Sequence, residues 1–327
     1  ELAVEKARSS RREMVKQVKM AYFACLLANE SFSVFKSVYD NAVENLDQTQ
    51  KKYNAQRASD LDLARAKTAL ANAVPNVYDA ESSVILTLWQ LKAVMGVDLD
   101  ENIDVSESLG DYADHMLYDV GESDTLTLEN NTSLRQLAIQ VDQLMDNIKL
   151  QQYAGLPTLA MSFSYSVNAM TNDFNFSEYK WSPYSYAGLS LSIPIFSGGK
   201  RYYAIKAARV QVNELEAQKV DTERQLKIAV RQYLNQMQTA MKSYGSAQSA
   251  VESAQKAYDI ASKSYNVGRS TLTDLNDSQL ALTQSQLSLF QAVYKFVVAK
   301  ASLESTTGAD FIDEDGKVQL NKTYDNE

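Results

Sequence analysis

A mainly helical protein with one small β part is the fold class that the sequence predicts, and three observations predict it. Glycine and proline are scarce, at 11 and 4 of 327 residues, against typical usage near ~7% and ~5%. A chain so poor in punctuation has few turns and is built from few, long elements. One unit recurs at a constant spacing of 212 residues, from Tyr53 to Tyr265. Between its copies the apolar pattern changes from the helical period to a period of two. The same scarcity of turns argues against a sandwich, a propeller or a dinucleotide-binding enzyme fold, all of which need frequent turns.

The repeat defines the helices. Residues 53–59 read YNAQRAS and residues 265–271 read YNVGRST. Tyr53/Tyr265, Asn54/Asn266, Arg57/Arg269, Asp62/Asp274 and Leu63/Leu275 share the spacing, which also carries Val18 onto Val230, Leu91 onto Leu303 and Gly96 onto Gly308. Residues 1–96 and 213–308 are therefore two copies of one unit: a long helix, a short turn and a second long helix. Gly268 suits a helix end that needs positive φ, and Ser270 or Thr271 suits the N-cap of the return helix. No proline follows Pro194, so a helix over Lys200–Asn266 is predicted, about 100 Å long at 1.5 Å per residue. Such a rod needs helical partners along its length. Met237, Ala240, Tyr244, Ala247, Val251, Ala254, Tyr258, Ala261 and Tyr265 step by three and four without a miss. This is a coiled-coil seam that packs large residues over small ones. Copy one keeps the spacing at Ala28, Phe32, Phe35, Tyr39, Ala42, Leu46 and Tyr53. The return helix of copy two carries Leu287, Phe290, Tyr294, Val297 and Ala301, with further apolar residues off that stripe at Leu289, Val293, Phe296 and Val298. Two apolar faces predict neighbours on two sides, as in a ring of helices; an ordinary bundle core fits the period equally. Pro75 is expected to kink the first return helix.

The remaining segments follow in order. Residues 1–97 are the first helical hairpin. Residues 98–133 are acidic and irregular and contain the single histidine, His115. A helix occupies 134–155, a β-hairpin 156–197, the second helical hairpin 198–308, and a polar, mobile tail 309–327. In the β segment Leu159, Met161, Phe163, Tyr165, Val167 and Ala169 alternate with Ala160, Ser162, Ser164, Ser166 and Asn168. Ala187, Leu189, Leu191 and Ile193 alternate with Tyr186, Gly188, Ser190 and Ser192. Each run is about 10 residues, the length of a tilted strand that crosses a bilayer. The connecting loop holds Phe174, Phe176, Tyr179 and Trp181, candidates for an interfacial aromatic girdle. The alternation fits a soluble amphipathic hairpin lying on a helix bundle as well as it fits a membrane strand pair. A lone hairpin in lipid would leave unpaired edges, so insertion requires strands from other copies.

Composition excludes several function classes. The net charge is −9 and no basic stripe is visible, which argues against nucleic acid as a partner. One cysteine, Cys25, and one histidine leave no nitrogen–sulfur zinc cluster and no Ser-His-Asp set with a choice of members. No catalytic residue, metal site or cofactor is expected. Cys25 is read as a small buried helix residue rather than a reactive thiol. The chain contains no run of 18 apolar residues, so no transmembrane helix is expected. It opens ELAVEKARSSRREM, a charged helix rather than a signal peptide.

Three local motifs carry a resemblance. LPTLAMSFSYS (156–166) is similar to a strand entering a barrel after a helix in the TolC-like outer-membrane efflux proteins. GLSLSIPIFSGGKR (188–201), with Pro194, Phe196, Gly198 and Gly199, is similar to that family's transition from barrel to helix. YNVGRSTLTDLND (265–277) is similar to its periplasmic tip turn. The resemblance covers residues 1–308. It implies a homotrimer in the outer membrane of a Gram-negative bacterium, with a transmembrane β-barrel in outer-membrane lipid and a helical tunnel across the periplasm. It also implies a periplasmic adaptor and an inner-membrane transporter as partners, in efflux or type I secretion. Family protomers supply four strands, whereas two are visible here, so the chain is expected to be a fragment lacking a first arm. The resemblance places Tyr265, Asp274 and Asp277 at a closing aperture, with Asp62 as the copy-one counterpart. It places Tyr53, Arg57, Gly268 and Arg269 at the tip turns that meet the adaptor, and Trp181 and Tyr179 at the membrane girdle. The family's Arg stands two residues after the turn glycine; here Ser270 stands there and Arg269 is one residue earlier. A ring of Asp274 and Asp277 would favour cations, while proximity to a helix start makes the same carboxylates natural caps. A soluble coiled-coil scaffold with an accessory hairpin is the alternative from a different class.

Overall fold

The computed structural model describes residues 1–113, 116, 127–169, 180–308, 311–312 and 318–319. His115, Phe174, Phe176, Tyr179 and most of the polar tail lie outside the described residues. Five long helices and a β-hairpin make up nearly all of the described chain. Helix α1 spans Leu2–Asn54 and α2 spans Asp60–Met95. A 3-10 turn over Leu109–Tyr112 precedes α3 at Thr132–Tyr153. Strands β1 (Thr158–Asn168) and β2 (Ser182–Ser192) follow, then α4 (Lys200–Asn266) and α5 (Leu272–Thr307). Two-residue strands β3 (Phe311–Ile312) and β4 (Val318–Gln319) pair within the segment read as a tail.

The duplication is visible in the backbone. Helices α2 and α5 are both 36 residues long, and both end on a glycine in the left-handed region, Gly96 at φ 70° and Gly308 at φ 75°. Both begin with a capping box, in which the Ser59 or Thr271 hydroxyl accepts from the N3 backbone amide and the N3 carboxylate, Asp62 or Asp274, accepts from the cap amide. Helix α2 runs on through Pro75 as one element.

The chain divides into two compact units, Glu1–Gln136 with Thr222–Glu327, and Leu137–Asp221. The divisions fall inside α3 and α4. The core of the first unit brings together α1, α4 and α5 through Leu26, Leu234, Met237, Val293, Phe296 and Leu303, and Leu109 and Met116 plug into it from the segment after α2. All nine positions of the α4 seam are buried or half-buried. Cys25 is buried here too, and burial pushes its thiol pKa up. In the second unit Val141, Ala208 and Val212 are buried.

The hairpin register pairs Leu159 with Leu191, Met161 with Leu189 and Phe163 with Ala187. The two alternations therefore share one face. On the other face Ala160 opposes Ser190 and Ser162 opposes Gly188. Strand β2 starts at Ser182, earlier than the alternation indicated, and so takes in Pro183, Tyr184 and Ser185.

Candidate functional site

The two helix–helix turns are built alike, bond for bond. After α4, the Gly268 amide donates to Tyr265 O (3.1 Å) and the Arg269 amide to Ser264 O (2.8 Å). After α1, the Gln56 amide donates to Tyr53 O (2.8 Å) and the Arg57 amide to Lys52 O (2.8 Å). This pair of bonds is the Schellman arrangement, which satisfies the last carbonyls of a helix and requires a left-handed residue. Gly268 takes that position at φ 77° and Gln56 at φ 58°, the single non-glycine residue with positive φ among the described residues. Gln56 fell outside the sequence reading because it matches glycine only by position. Ser270 faces inward, its hydroxyl donating to Ala261 O (3.3 Å). Arg57 and Arg269 are exposed, one on each turn.

The acidic residues at the tip divide into two kinds. Asp62 and Asp274 are held as caps. The Asp274 carboxylate accepts from the Thr271 amide (2.9 Å) and hydroxyl (2.7 Å), and these bonds lower its pKa below the ordinary carboxylate range. Asp62 accepts from the Ser59 amide (3.1 Å) and hydroxyl (2.7 Å), with the same effect. Asp277, one turn further along α5, is exposed.

Tyr265, expected at the aperture, is buried within the tip. It is 7% exposed, packed with Ala66, Leu272 and Leu275. Its hydroxyl shares a 2.6 Å hydrogen bond with the Thr49 hydroxyl. Lys52 reaches across from α1, donating to Tyr265 O (2.9 Å) with its ammonium 4.0 Å from the ring centroid; desolvation lowers the Lys52 pKa. Arg65 donates to Thr273 (3.2 Å) across the same gap. Tyr265 is thus a tie between the two helical hairpins. Its copy-one counterpart Tyr53 is half exposed, and the Asp60 carboxylate that accepts from its hydroxyl raises its pKa.

The hairpin end differs in character. Apolar side chains that a soluble domain would bury stand in the open: Met161 is 78% exposed, Leu189 73% and Phe196 88%. Trp181 is exposed beside the loop. At the change from strand to helix, Gly198 (φ 59°) and Gly199 (φ 80°) are consecutive left-handed residues, a geometry that side chains on both would strain. Pro194 and Phe196 lie in the irregular stretch between β2 and these glycines.

A third group escaped sequence reading because its members lie far apart in the chain. The Glu107 carboxylate accepts from both Tyr22 and Tyr112 hydroxyls (2.5 Å each), and Glu30 accepts from the Ser108 hydroxyl (2.6 Å) and Leu109 amide (3.2 Å). These bonds fasten the segment after α2 onto α1. The Glu107 bonds lower its own pKa, while burial and the neighbouring carboxylate raise that of Tyr22. Asn131, buried, caps α3 through the Ser133 and Leu134 amides and donates to Thr306 O (2.7 Å) at the end of α5. Arg12 donates to Asn130 O (2.8 Å). Lys19 pairs with the buried Glu304 at 2.6 Å.

The described helices include none long and apolar enough to cross a membrane. The sequence profile of the outer membrane efflux protein family matches residues 1–97 and 125–309. Among curated proteins, none matches the sequence. Solved structures with the same fold include the outer membrane protein VceC of Vibrio cholerae (16% identity, TM-score 0.72, 94% of this chain and 72% of that one). The CmeC outer membrane channel of Campylobacter jejuni is similar at 17% identity and TM-score 0.72, over 98% of this chain and 66% of that one. The MtrE outer membrane channel of Neisseria gonorrhoeae is similar at 16% identity and TM-score 0.72, over 98% and 70%.

Proposed function

The chain belongs to the outer membrane efflux protein family, and from that premise we propose that three copies form a passive conduit from the periplasm to the exterior. The conduit serves a tripartite efflux or type I secretion system. The observation that carries this reading is the hairpin: in register, 11 residues per strand, mainly apolar on one face, mainly small or hydroxylic on the other with Tyr184 and Tyr186 toward the loop end, and covered on neither. Lipid suits the first face and a wet lumen the second. Closure with strands of other copies satisfies the edges. Trp181 sits at the lipid boundary.

In this reading the tip turns meet the periplasmic partners. Arg57 and Arg269, exposed on matching turns, face a periplasmic adaptor, which links the conduit to an inner-membrane transporter. Asp277 is the carboxylate free of capping duty, so it carries the cation preference of the aperture; Asp62 and Asp274 add charge but are committed to their helices. Gly268 shapes the turn, and Tyr265 acts from behind it by tying α4 to α1.

Purified full-length protein in a planar bilayer is expected to give discrete, cation-preferring conductance. Asp277→Asn is expected to reduce the cation preference severalfold and Asp274→Asn to reduce it less. Absence of any conductance would sink the channel reading; conductance with unchanged selectivity in Asp277→Asn would remove the aspartate ring alone.

A further inference from the structure

The stretch from β2 into the first turns of α4 differs in charge from the chain as a whole. The net charge of the chain is −9, yet Lys180 to Asn213 carries five basic residues and no Asp or Glu. Four of the five, Lys200, Arg201, Lys206 and Arg209, stand at the start of α4, and all four are exposed. Lys200, Lys206 and Arg209 have no ion pair among the described residues. The Arg201 guanidinium lies over Gly155, in the space that a Cβ there would need, so the end of α3 adjoins the start of α4.

Exposed rings are set among these cations. Tyr202 and Tyr203, 65% and 67% exposed, meet edge to face with 5.3 Å between ring centroids. With Lys206 and Arg209 they lie on the face of α4 away from the buried Ala208 and Val212. Just before the helix, Ile195 and Phe196 are 94% and 88% exposed. This combination suits a headgroup layer. Rings with polar tips sit at the boundary, apolar side chains reach toward acyl chains, and ammonium and guanidinium groups reach phosphate.

The length of the hairpin sets where this collar falls. Trp181 precedes β2 at the loop end, and Thr158 pairs with Ser192 at the other end. Strands of 11 residues, at about 3.3 Å per residue and a tilt near ~40°, span about 28 Å. That is close to the ~30 Å of a hydrocarbon core. With Trp181 at one boundary, the collar begins at the other. Long side chains on a helix lean back toward its N-terminus, here the membrane side, so Lys206 and Arg209 reach the same layer as Lys200. We infer that Lys200, Lys206 and Arg209, flanked by Phe196, Tyr202 and Tyr203, bind the phosphates of anionic phospholipid in the leaflet on the helix side of the membrane. This rests on the proposed insertion of the hairpin and adds a lipid preference to it. Unpaired positive charge favours anionic over zwitterionic headgroups, and the apolar side chains beside it favour a lipid over a soluble polyanion.

The test reconstitutes the full-length protein into vesicles of phosphatidylethanolamine and phosphatidylglycerol, re-extracts it gently, and weighs the co-purifying lipids by mass spectrometry. Phosphatidylglycerol is expected to be enriched at least about fivefold, the contribution of one basic side chain at a membrane surface. Lys200→Gln, Lys206→Gln and Arg209→Gln together are expected to abolish the enrichment. The charge-keeping set Lys200→Arg, Lys206→Arg and Arg209→Lys is expected to retain it, as is the remote set Lys36→Gln, Lys67→Gln and Lys256→Gln. Unchanged enrichment in the first set, or an equal loss in the remote set, would overturn the collar. So would enrichment erased by inorganic phosphate at constant ionic strength, which would mark a site for free phosphate rather than lipid. A spin label at Tyr203→Cys, in a Cys25→Ala background, gives a second readout. It is expected to be more accessible to oxygen, relative to an aqueous nickel complex, than a label at Val220→Cys, about 25 Å further along α4; equal accessibility would place the rings in water and overturn the proposal. Each of these failures in protein that still conducts in a bilayer leaves the channel reading intact. Unmodified protein that neither conducts nor enters vesicles would overturn that reading, and the collar with it.

Discussion

Helix α2 of the first helical hairpin buries little beyond Ala66, Ala73, Ala80, Leu91 and Lys92, whereas α5 of the second, with the same length and the same caps, buries thirteen residues including Leu272, Leu282, Val293, Phe296 and Leu303. Position by position the two helices are copies. Their surroundings are not: α5 lies between α1 and α4, while α2 leans on α1 with its far side open. The repeated features are those that backbone geometry demands of any helical hairpin, namely the capping boxes and the left-handed ends. The divergent features are those that neighbours impose. Duplication thus separates what a turn needs from what a core needs.

The largest test of this difference is a cavity. Phe296 is fully buried in the main core, and its counterpart in α2 is the half-buried Val84. Phe296→Ala is expected to cost about 3–5 kcal/mol and Val84→Ala about 1 kcal/mol, read as the drop in thermal unfolding midpoint of the detergent-solubilised protein. Equal losses would mean that α2 is as enclosed as α5 and would break the comparison.

The two helix ends give the next largest contrast. Gly96 and Gly308 share a left-handed conformation, but a Cβ at Gly96 would meet nothing within 4 Å, while one at Gly308 would collide with Asn130 O and the Arg12 guanidinium. Gly96→Ala is expected to cost about 1 kcal/mol, the strain of a left-handed residue. Gly308→Ala adds displacement of a backbone carbonyl and is expected to cost about 2–4 kcal/mol. Circular dichroism melts of the two variants side by side check this, and a Gly308→Ala loss no larger than that of Gly96→Ala would show that the junction can move aside.

Much of this was legible beforehand because it is local. The bounds of α4, the tip turns, the strand alternation and the glycine pair at 198–199 are all written in residues close together in sequence. Tyr265 shows the limit. Spacing placed it at the tip but could not say which way its ring faces, and the Thr49 hydroxyl that settles this comes from a helix more than 200 residues earlier. The Tyr22–Glu107–Tyr112 clamp and the Asn131–Thr306 bond failed to register for the same reason: each joins segments whose own patterns are unremarkable, and a single hydrogen bond leaves no period.

The tip turns supply the smallest and most symmetrical contrast. Gln56 and Gly268 occupy equivalent positions with the same two hydrogen bonds, yet only one is glycine. A side chain held at positive φ costs about 1 kcal/mol relative to glycine, partly offset because glycine gains more freedom in the unfolded chain. Gln56→Gly is therefore expected to stabilise by about 0.5–1 kcal/mol, and Gly268→Ala, whose Cβ would meet open space, to destabilise by a similar amount. The two shifts in melting midpoint should be opposite in sign and close in size. If Gln56→Gly destabilises instead, the glutamine side chain makes a contact worth more than the strain, and the first turn has been tuned by its neighbours just as α5 has been by the core.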